Sequence, residues 1–105
     1  MNKGLLVVLI AIAGCVGYKY STTTSVTAPS KPESCEFDVL STRPDRPYDE
    51  LGVLETSAGY EARSVSSFRD AILRDVCRAG GDAVLAEVNG LGHYVRGTVI
   101  RYRSP

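Results

Sequence analysis

The sequence predicts a small α+β domain of the order β-β-α-β-β, with one helix packed across an antiparallel-rich sheet. Two observations support this prediction: an amphipathic stretch around residue 70 ends at a Gly-Gly pair, and short runs of alternating apolar residues lie on both sides of it. The chain has 105 residues, enough for one domain and not two. We expect the domain to span 35–105, and a core of that size contributes only a few kcal/mol, so a covalent cross-link is expected.

The first two strands are predicted from alternation along the chain. Cys35, Phe37 and Val39 alternate with acidic residues, which is typical of a half-buried strand. A second strand is predicted over 51–56. Between them, the segment 42–48 contains two prolines, which exclude regular structure and favour an extended loop.

The helix is predicted over 68–79. Ser66 or Ser67 is placed to cap its N-terminus. Gly80 and Gly81 end it, because glycine adopts the left-handed cap conformation without strain. The apolar side chains that fall along one side of this helix are Phe68, Ile72, Leu73, Val76, Cys77 and Ala79.

The last two strands are predicted to form a tight hairpin. The first runs over 83–88, and Asn89-Gly90 is the strongest short signal for a two-residue turn. Such a turn would pair Val84 with Val95 and keep one face of the hairpin apolar. A five-residue loop would place polar residues on that face instead, so we expect the tight turn.

Composition excludes several classes of function. Twelve Lys and Arg balance twelve Asp and Glu, so the formal net charge is zero, whereas a nucleic-acid-binding protein needs a basic surplus. One His and three Cys leave little material for a metal site or a catalytic triad. We therefore expect no catalytic residues, no metal, no cofactor and no nucleic-acid partner.

The first fifteen residues have the features of a secretory signal. Lys3 supplies a short positive region, and an apolar or small run follows from Gly4 to Gly14. Extended to Gly17 the run is still shorter than the ~20 residues that a membrane-spanning helix needs. We expect a signal peptide over 1–14, and an uncleaved membrane anchor is the weaker alternative.

Ile12-Ala13-Gly14-Cys15 resembles the lipobox of bacterial lipoproteins, an aliphatic residue and two small ones before a cysteine. The resemblance implies that Cys15 is acylated and becomes the N-terminus, with Ile12, Ala13 and Gly14 as recognition residues. It also implies a membrane-lipid partner, because more than one acyl chain gives stable attachment. Val16, not Asp, follows the cysteine, which by the sorting rule of enteric bacteria implies the outer membrane, facing the periplasm.

The segment 16–34 is rich in Ser, Thr and Pro and has almost no apolar periodicity. Such a composition buries too little surface to offset the entropy lost on ordering. We therefore expect residues 15–34 to form a lipidated N-terminus and a flexible tether.

With Cys15 assigned to lipid, Cys35 and Cys77 remain, and an oxidising compartment allows them to pair. The pattern places Cys35 on the core face of a strand and Cys77 on the sheet-facing edge of the helix. A bridge would contribute ~4 kcal/mol in the chain-entropy model. A redox dithiol is the alternative, but such pairs usually have Cys-X-X-Cys spacing near a helix N-terminus, so we expect a structural disulfide.

The helix-to-strand sequence Ala-Gly-Gly-Asp-Ala-Val at 79–84, the Leu-Gly-Val at 51–53 and the amphipathic helix resemble a family of small envelope proteins. This family includes the YbjQ-like domains and the stress-sensor lipoprotein of the Rcs phosphorelay. The resemblance covers about residues 50–100. It implies a β-β-α-β-type fold in the cell envelope and leaves the activity open, because fold does not determine function.

The loop containing Arg43, Asp45, Arg46 and Tyr48 is the best candidate for a partner site, because loops often carry function and aromatic residues are enriched at interfaces. An ordinary rigid connector is the alternative. We expect a lipid-anchored envelope protein that acts as a non-catalytic binding, sensing or structural module with an envelope protein as partner. The competing hypothesis is a thiol-disulfide or metal-binding oligomeric module.

Overall fold

The computed structural model describes residues 16–104. The elements of this range are β1 Lys19–Thr22, β2 Asp38–Leu40, β3 Tyr48–Glu55, α1 Val65–Ala79, β4 Ala83–Val88 and β5 Tyr94–Tyr102. The strands form one sheet of order β1-β3-β5-β4-β2, in which only β2 and β4 run parallel. The predicted α+β class, one helix with a mostly antiparallel sheet, is confirmed.

The predicted signal peptide over 1–14 and the predicted lipidation site Cys15 lie outside the described residues. Across 16–104, α1 falls short of the length and hydropathy that a membrane-spanning helix requires. Both the signal peptide and the lipidation site stay predictions.

The core lies between α1 and one face of the sheet. The apolar side of the helix faces the core as predicted: Phe68, Ile72 and Val76 are all fully buried. The strand residues that meet them include Leu54, Val84 and Val99, from three neighbouring strands.

The predicted start of α1 is wrong, and its predicted end is right. The helix begins at Val65, because the hydroxyl of Ser64 accepts a hydrogen bond from the backbone N–H of Ser67 at 3.1 Å. The predicted caps Ser66 and Ser67 are wrong, since both lie within the first turn. The C-terminal prediction is right: Gly80 is left-handed, with φ 81° and its N–H donating to the carbonyl of Cys77 at 3.1 Å.

The predicted two-residue turn between β4 and β5 is wrong. Residues 89–93 form a five-residue loop, in which Oδ1 of Asn89 accepts from the backbone N–H groups of Leu91 and His93, both at 3.0 Å. The Asn89 side chain therefore organises a longer loop than Asn-Gly alone would suggest.

A β-bulge explains why the longer loop keeps one face apolar. Val88 pairs with Tyr94, and the register then shifts, leaving Val95 as the extra residue of β5. Beyond this bulge, Val84 lies opposite Val99. The predicted register contained no bulge. Without a bulge, only a two-residue turn would keep the valines of β4 and β5 on the same face of the hairpin.

Residues 16–34 belong to the folded domain, and the predicted flexible tether is wrong over this range. β1 pairs antiparallel with β3, from Lys19 opposite Glu55 to Thr22 opposite Gly52. The side chains of this segment that pack on the core are Val16, Tyr18, Tyr20, Val26 and Ala28. These few apolar residues suffice because β3 supplies a ready hydrogen-bonding edge.

The strands before α1 also differ in extent from the prediction. The strand predicted from the alternation of Cys35 to Val39 is only Asp38–Leu40, although Phe37 beside it is 4% exposed. The strand predicted over 51–56 begins earlier, at Tyr48. The loop between them contains Pro44 and Pro47, as predicted.

Candidate functional site

Cys35 and Cys77 form a disulfide, with their Cα atoms 5.7 Å apart, so the predicted bridge is confirmed. It ties the segment before β2 to the last turn of α1 across a sequence separation of 42 residues. Cys77 is fully buried, and Cys35 is half-buried. Both cysteines of residues 16–104 are therefore committed to the cross-link.

A groove of about 720 Å³ lies beside this disulfide. The guanidinium of Arg69 lies 4.7 Å from the centroid of the Phe37 ring and donates a hydrogen bond to the Phe37 carbonyl. Arg69 thus holds the chain leading into β2. The acidic residues that line the groove are Glu36, Asp38, Asp70 and Asp82. Within 16–104, no three His, Cys, Asp or Glu side chains are grouped so as to hold a metal ion.

The predicted partner loop is fixed to the end of the sheet. The guanidinium of Arg46 lies 4.0 Å from the centroid of the Tyr102 ring, and Tyr48 pairs with Tyr102 in the register of β3 and β5. The carbonyl of Pro47 accepts a hydrogen bond from the N–H of Arg103 at 3.1 Å. Asp45 remains exposed at the outside of the loop. The structure therefore brings Arg46 and Tyr48 together around Tyr102.

Arg43 and Tyr48 meet at a second groove, of about 230 Å³. Leu85 and Thr98 form its floor as a cross-strand pair, and they alternate with Val84 and Val99, whose side chains pack in the core. The groove therefore lies on the sheet face opposite α1. We refer to it as the outer groove.

Charged groups surround the outer groove. Glu50 and Glu87 line it together with Arg43, so its rim carries both signs around an apolar and hydroxyl floor. Such a surface suits a peptide segment with mixed polar and apolar groups. Glu50, Leu85, Glu87 and Thr98 were not predicted from the sequence as site residues. Their alternation with core residues along three strands is the signal that could have indicated them.

Tyr18 connects three segments at one end of the sheet. Its hydroxyl accepts a hydrogen bond from the N–H of Ala62 at 2.8 Å and donates to the carbonyl of Tyr94. Its ring meets Phe68 edge-on at 5.1 Å, and Phe68 stacks on Tyr94 at 4.8 Å. Burial raises the pKa of Tyr18 above its ordinary value, and the hydrogen bond from Ala62 acts in the opposite direction.

The N-terminal end of the described chain is fixed at the same place. The N–H of Gly17 donates to the carbonyl of Tyr60 at 3.2 Å, and the hydroxyl of Thr56 donates to the carbonyl of Gly17. The predicted recognition residues Ile12, Ala13 and Gly14 lie outside the described residues. In the sequence, Cys15 nevertheless lies only two residues before Gly17, which is hydrogen-bonded to Tyr60 and Thr56.

Comparisons with protein-family models, with curated proteins and with solved structures give no match to this chain. The resemblances to bacterial lipoproteins and to the YbjQ-like family therefore stay predictions.

Proposed function

We propose that the protein is a lipid-anchored component of the bacterial cell envelope, attached to the outer membrane through acylated Cys15 and facing the periplasm. It acts as a non-catalytic binding, sensing or structural module. The observation that carries the anchor is the sequence Ile12-Ala13-Gly14-Cys15 behind a short apolar run. The Cys35–Cys77 disulfide supports export, because such bonds persist in oxidising compartments.

A non-catalytic role fits the chemistry of the described residues. The cysteines of this range form the cross-link, and the only imidazole of the chain, His93, lies in the loop at the tip of β4 and β5. The competing proposal, a thiol-disulfide or metal-binding oligomeric module, predicts free thiols or bound metal. A thiol count with Ellman's reagent and elemental analysis on the purified protein distinguish the two.

The anchor is tested by metabolic labelling with palmitate and by mass spectrometry of the mature N-terminus. We expect the wild-type chain to incorporate label and Cys15→Ala to lose it together with membrane attachment. Cys35→Ala/Cys77→Ala is the matched control, since it removes two cysteines and leaves the anchor. Label incorporation by Cys15→Ala equal to the wild type would contradict the proposal.

Substitutions at Val16 test whether the protein is attached to the outer or the inner membrane. By the sorting rule of enteric bacteria, Val16→Asp moves the protein from the outer-membrane fraction to the inner-membrane fraction. Val16→Ala is the control, because it removes the same core contact without adding the carboxylate. Identical fractionation of Val16→Asp and Val16→Ala would argue against an outer-membrane location set by this residue.

The outer groove is the surface that we propose for an envelope protein partner. A photo-activated cross-linker at Arg43 should capture that partner in intact cells. The same cross-linker at Arg74, which is exposed on α1, serves as the control. If both positions capture the same proteins in the same yield, the outer groove is not the partner site.

A further inference from the structure

The four large apolar side chains that are exposed in residues 16–104 are Tyr60, Val65, Val88 and Leu91. Leu91 is 79% exposed and Tyr60 52% exposed. Single exposed apolar residues are common and need no explanation, whereas a group at one place on the molecule indicates a contact surface.

The sheet register, with the hydrogen bond between Gly17 and Tyr60, places Tyr60, Val88 and Leu91 at one end. Lys19, Glu55, Arg96 and Glu87 form one row across four strands. Past this row, β4 continues to Val88 and the loop with Leu91, and β3 continues towards Tyr60.

Val65 belongs to the same end. It is the first residue of α1 and follows Ala62, which pairs with Tyr94 at the start of β5. The surface formed by Tyr60, Val65, Val88 and Leu91 is called the apolar end below.

The N-terminus of the described chain leaves the domain at the apolar end. β1 extends past the row from Lys19 back to Gly17, whose N–H is bonded to the carbonyl of Tyr60. Cys15 precedes Gly17 by two residues, and an extended chain spans at most ~3.6 Å per residue, or about 7 Å here. Since residues 16–34 are folded and form no tether, acylation of Cys15 would hold Gly17 at this end within about 7 Å of the lipid-bearing residue.

We propose that the apolar end rests on the surface of the phospholipid bilayer, with Leu91 and Tyr60 entering the headgroup region. The inference rests on the proposed acylation of Cys15. Tyrosine suits such a position because its ring is apolar and its hydroxyl is polar.

Charge favours an apolar contact over an electrostatic one. The formally charged residues around the apolar end are three basic ones, Lys19, Arg63 and Arg96, and three acidic ones, Glu55, Glu61 and Glu87; His93, neutral in this formal count, lies beside them. This balance gives no net attraction to anionic lipid. The contact should therefore form on neutral phosphatidylcholine and persist at high salt.

The test uses the absence of tryptophan from the sequence. Leu91→Trp and Tyr60→Trp each place a single tryptophan, excited selectively over tyrosine, at the apolar end of the full-length protein. Ser104→Trp is the control, because it follows β5 at the opposite end of the sheet and is exposed. Each protein is purified from membranes and reconstituted into phosphatidylcholine vesicles with and without brominated acyl chains.

We expect blue-shifted emission and about a twofold loss of emission in brominated vesicles for Trp at 91 and at 60, and neither effect for Trp at 104. Equal quenching at all three positions would overturn the inference. So would a blue shift at 91 that grows with protein density and is insensitive to bromine, because a second copy would then cover the surface. Thermal melts verify that each variant is folded.

Mass spectrometry of the N-terminal peptide from the same preparations separates this inference from the proposed function. If Cys15 is acylated but tryptophan at neither 91 nor 60 is quenched, the lipid anchor is supported and the bilayer contact is overturned. A peptide without acyl groups overturns both.

Discussion

The Nζ of Lys31 lies 2.6 Å from Oδ1 of Asp82. The same ammonium donates to the carbonyl of Gly81 at 3.0 Å, and Oδ2 of Asp82 accepts from the N–H of Tyr102 at 2.8 Å. One carboxylate thus connects the segment before β2, the turn after α1 and the end of β5. Lys31 lies in the segment that composition predicts to be a flexible tether, so this connection was not predicted.

Asp82→Asn should lower stability in a pH-dependent way. Burial raises the pKa of Asp82, but hydrogen bonds from Lys31 and Tyr102 and the charges of Lys31 and Arg101 lower it by more, so the net shift is downward. The carboxylate therefore stabilises the fold above its ordinary pKa of 3.8, and this contribution is lost as the pH falls through the lowered value. We expect a loss of about 1 kcal/mol at neutral pH, measured by urea unfolding.

The difference between Asp82→Asn and wild type should shrink below pH 3.8. Asp45→Asn is the control, since Asp45 is exposed in the loop before β3. A difference that stays constant from neutral to acidic pH would show that the charge of Asp82 contributes nothing.

Tyr18→Phe should destabilise the domain by about 1–3 kcal/mol, because it leaves the buried N–H of Ala62 without its acceptor. The contact between the ring and Phe68 is retained in this variant. Tyr60→Phe, at an exposed position, is the control and should have little effect. Equal unfolding midpoints for the two variants would contradict the role of the Tyr18 hydroxyl.

Alkaline pH should destabilise the wild-type protein through Tyr18. Burial is the main cause of its raised pKa, so the neutral hydroxyl stabilises the fold below the ordinary pKa of 10.0. That contribution is lost as the pH rises through the raised value. Melting temperatures measured from neutral pH to above 10 should fall more steeply for wild type than for Tyr18→Phe; parallel curves would argue that Tyr18 is not responsible.

Gly52→Ala should release β1 from the sheet. An added Cβ would lie 2.5 Å from the carbonyl oxygen of Ser21 and from the Tyr20 ring, and the backbone oxygen cannot move unless β1 shifts. We expect faster proteolysis within 16–34 and a lower melting temperature. Gly90→Ala is the matched control, because nothing lies within 4 Å of its added Cβ. Proteolysis of Gly52→Ala no faster than that of Gly90→Ala would exclude β1 as a stable strand.

Removing the disulfide with Cys35→Ala/Cys77→Ala should cost about 4 kcal/mol in the chain-entropy model. This loss is comparable with the whole stability expected for a small domain, so partial unfolding at 37 °C is expected. Urea unfolding measures the loss, and a reductant should reproduce it in wild type while leaving the double variant unchanged. An unchanged midpoint for the double variant would remove the cross-link as a source of stability.

The helix shows what periodicity can establish and what it cannot. The buried positions Phe68, Ile72 and Val76 follow directly from apolar spacing, and Gly80 marks the end of the helix because few other residues tolerate its φ. The start was not predicted correctly because positions 64, 66 and 67 are all serine, and only the backbone conformation selects Ser64 as the cap.

The segment 16–34 was missed because average composition conceals a short pattern. Val16, Tyr18 and Tyr20 alternate, which is the period of a strand, and all three pack on the core. Pairing with β3 stabilises this strand, and the paired residues of β3 lie 30 to 36 positions away along the chain. Local sequence cannot indicate such a distant partner. The outer groove was missed for the same reason, since its residues come from separate strands.

The position of β5 has a consequence for the order in which the protein can assemble during synthesis. β5 lies at the centre of the sheet between β3 and β4, yet of the five strands in residues 16–104 it is the last to be synthesised. Until residues 94–102 emerge, β1 with β3 and β2 with β4 are two separate pairs that lack their common neighbour. The described sheet therefore cannot close until residues 94–102 are made, so under the proposed export an incomplete chain would reach the membrane still open.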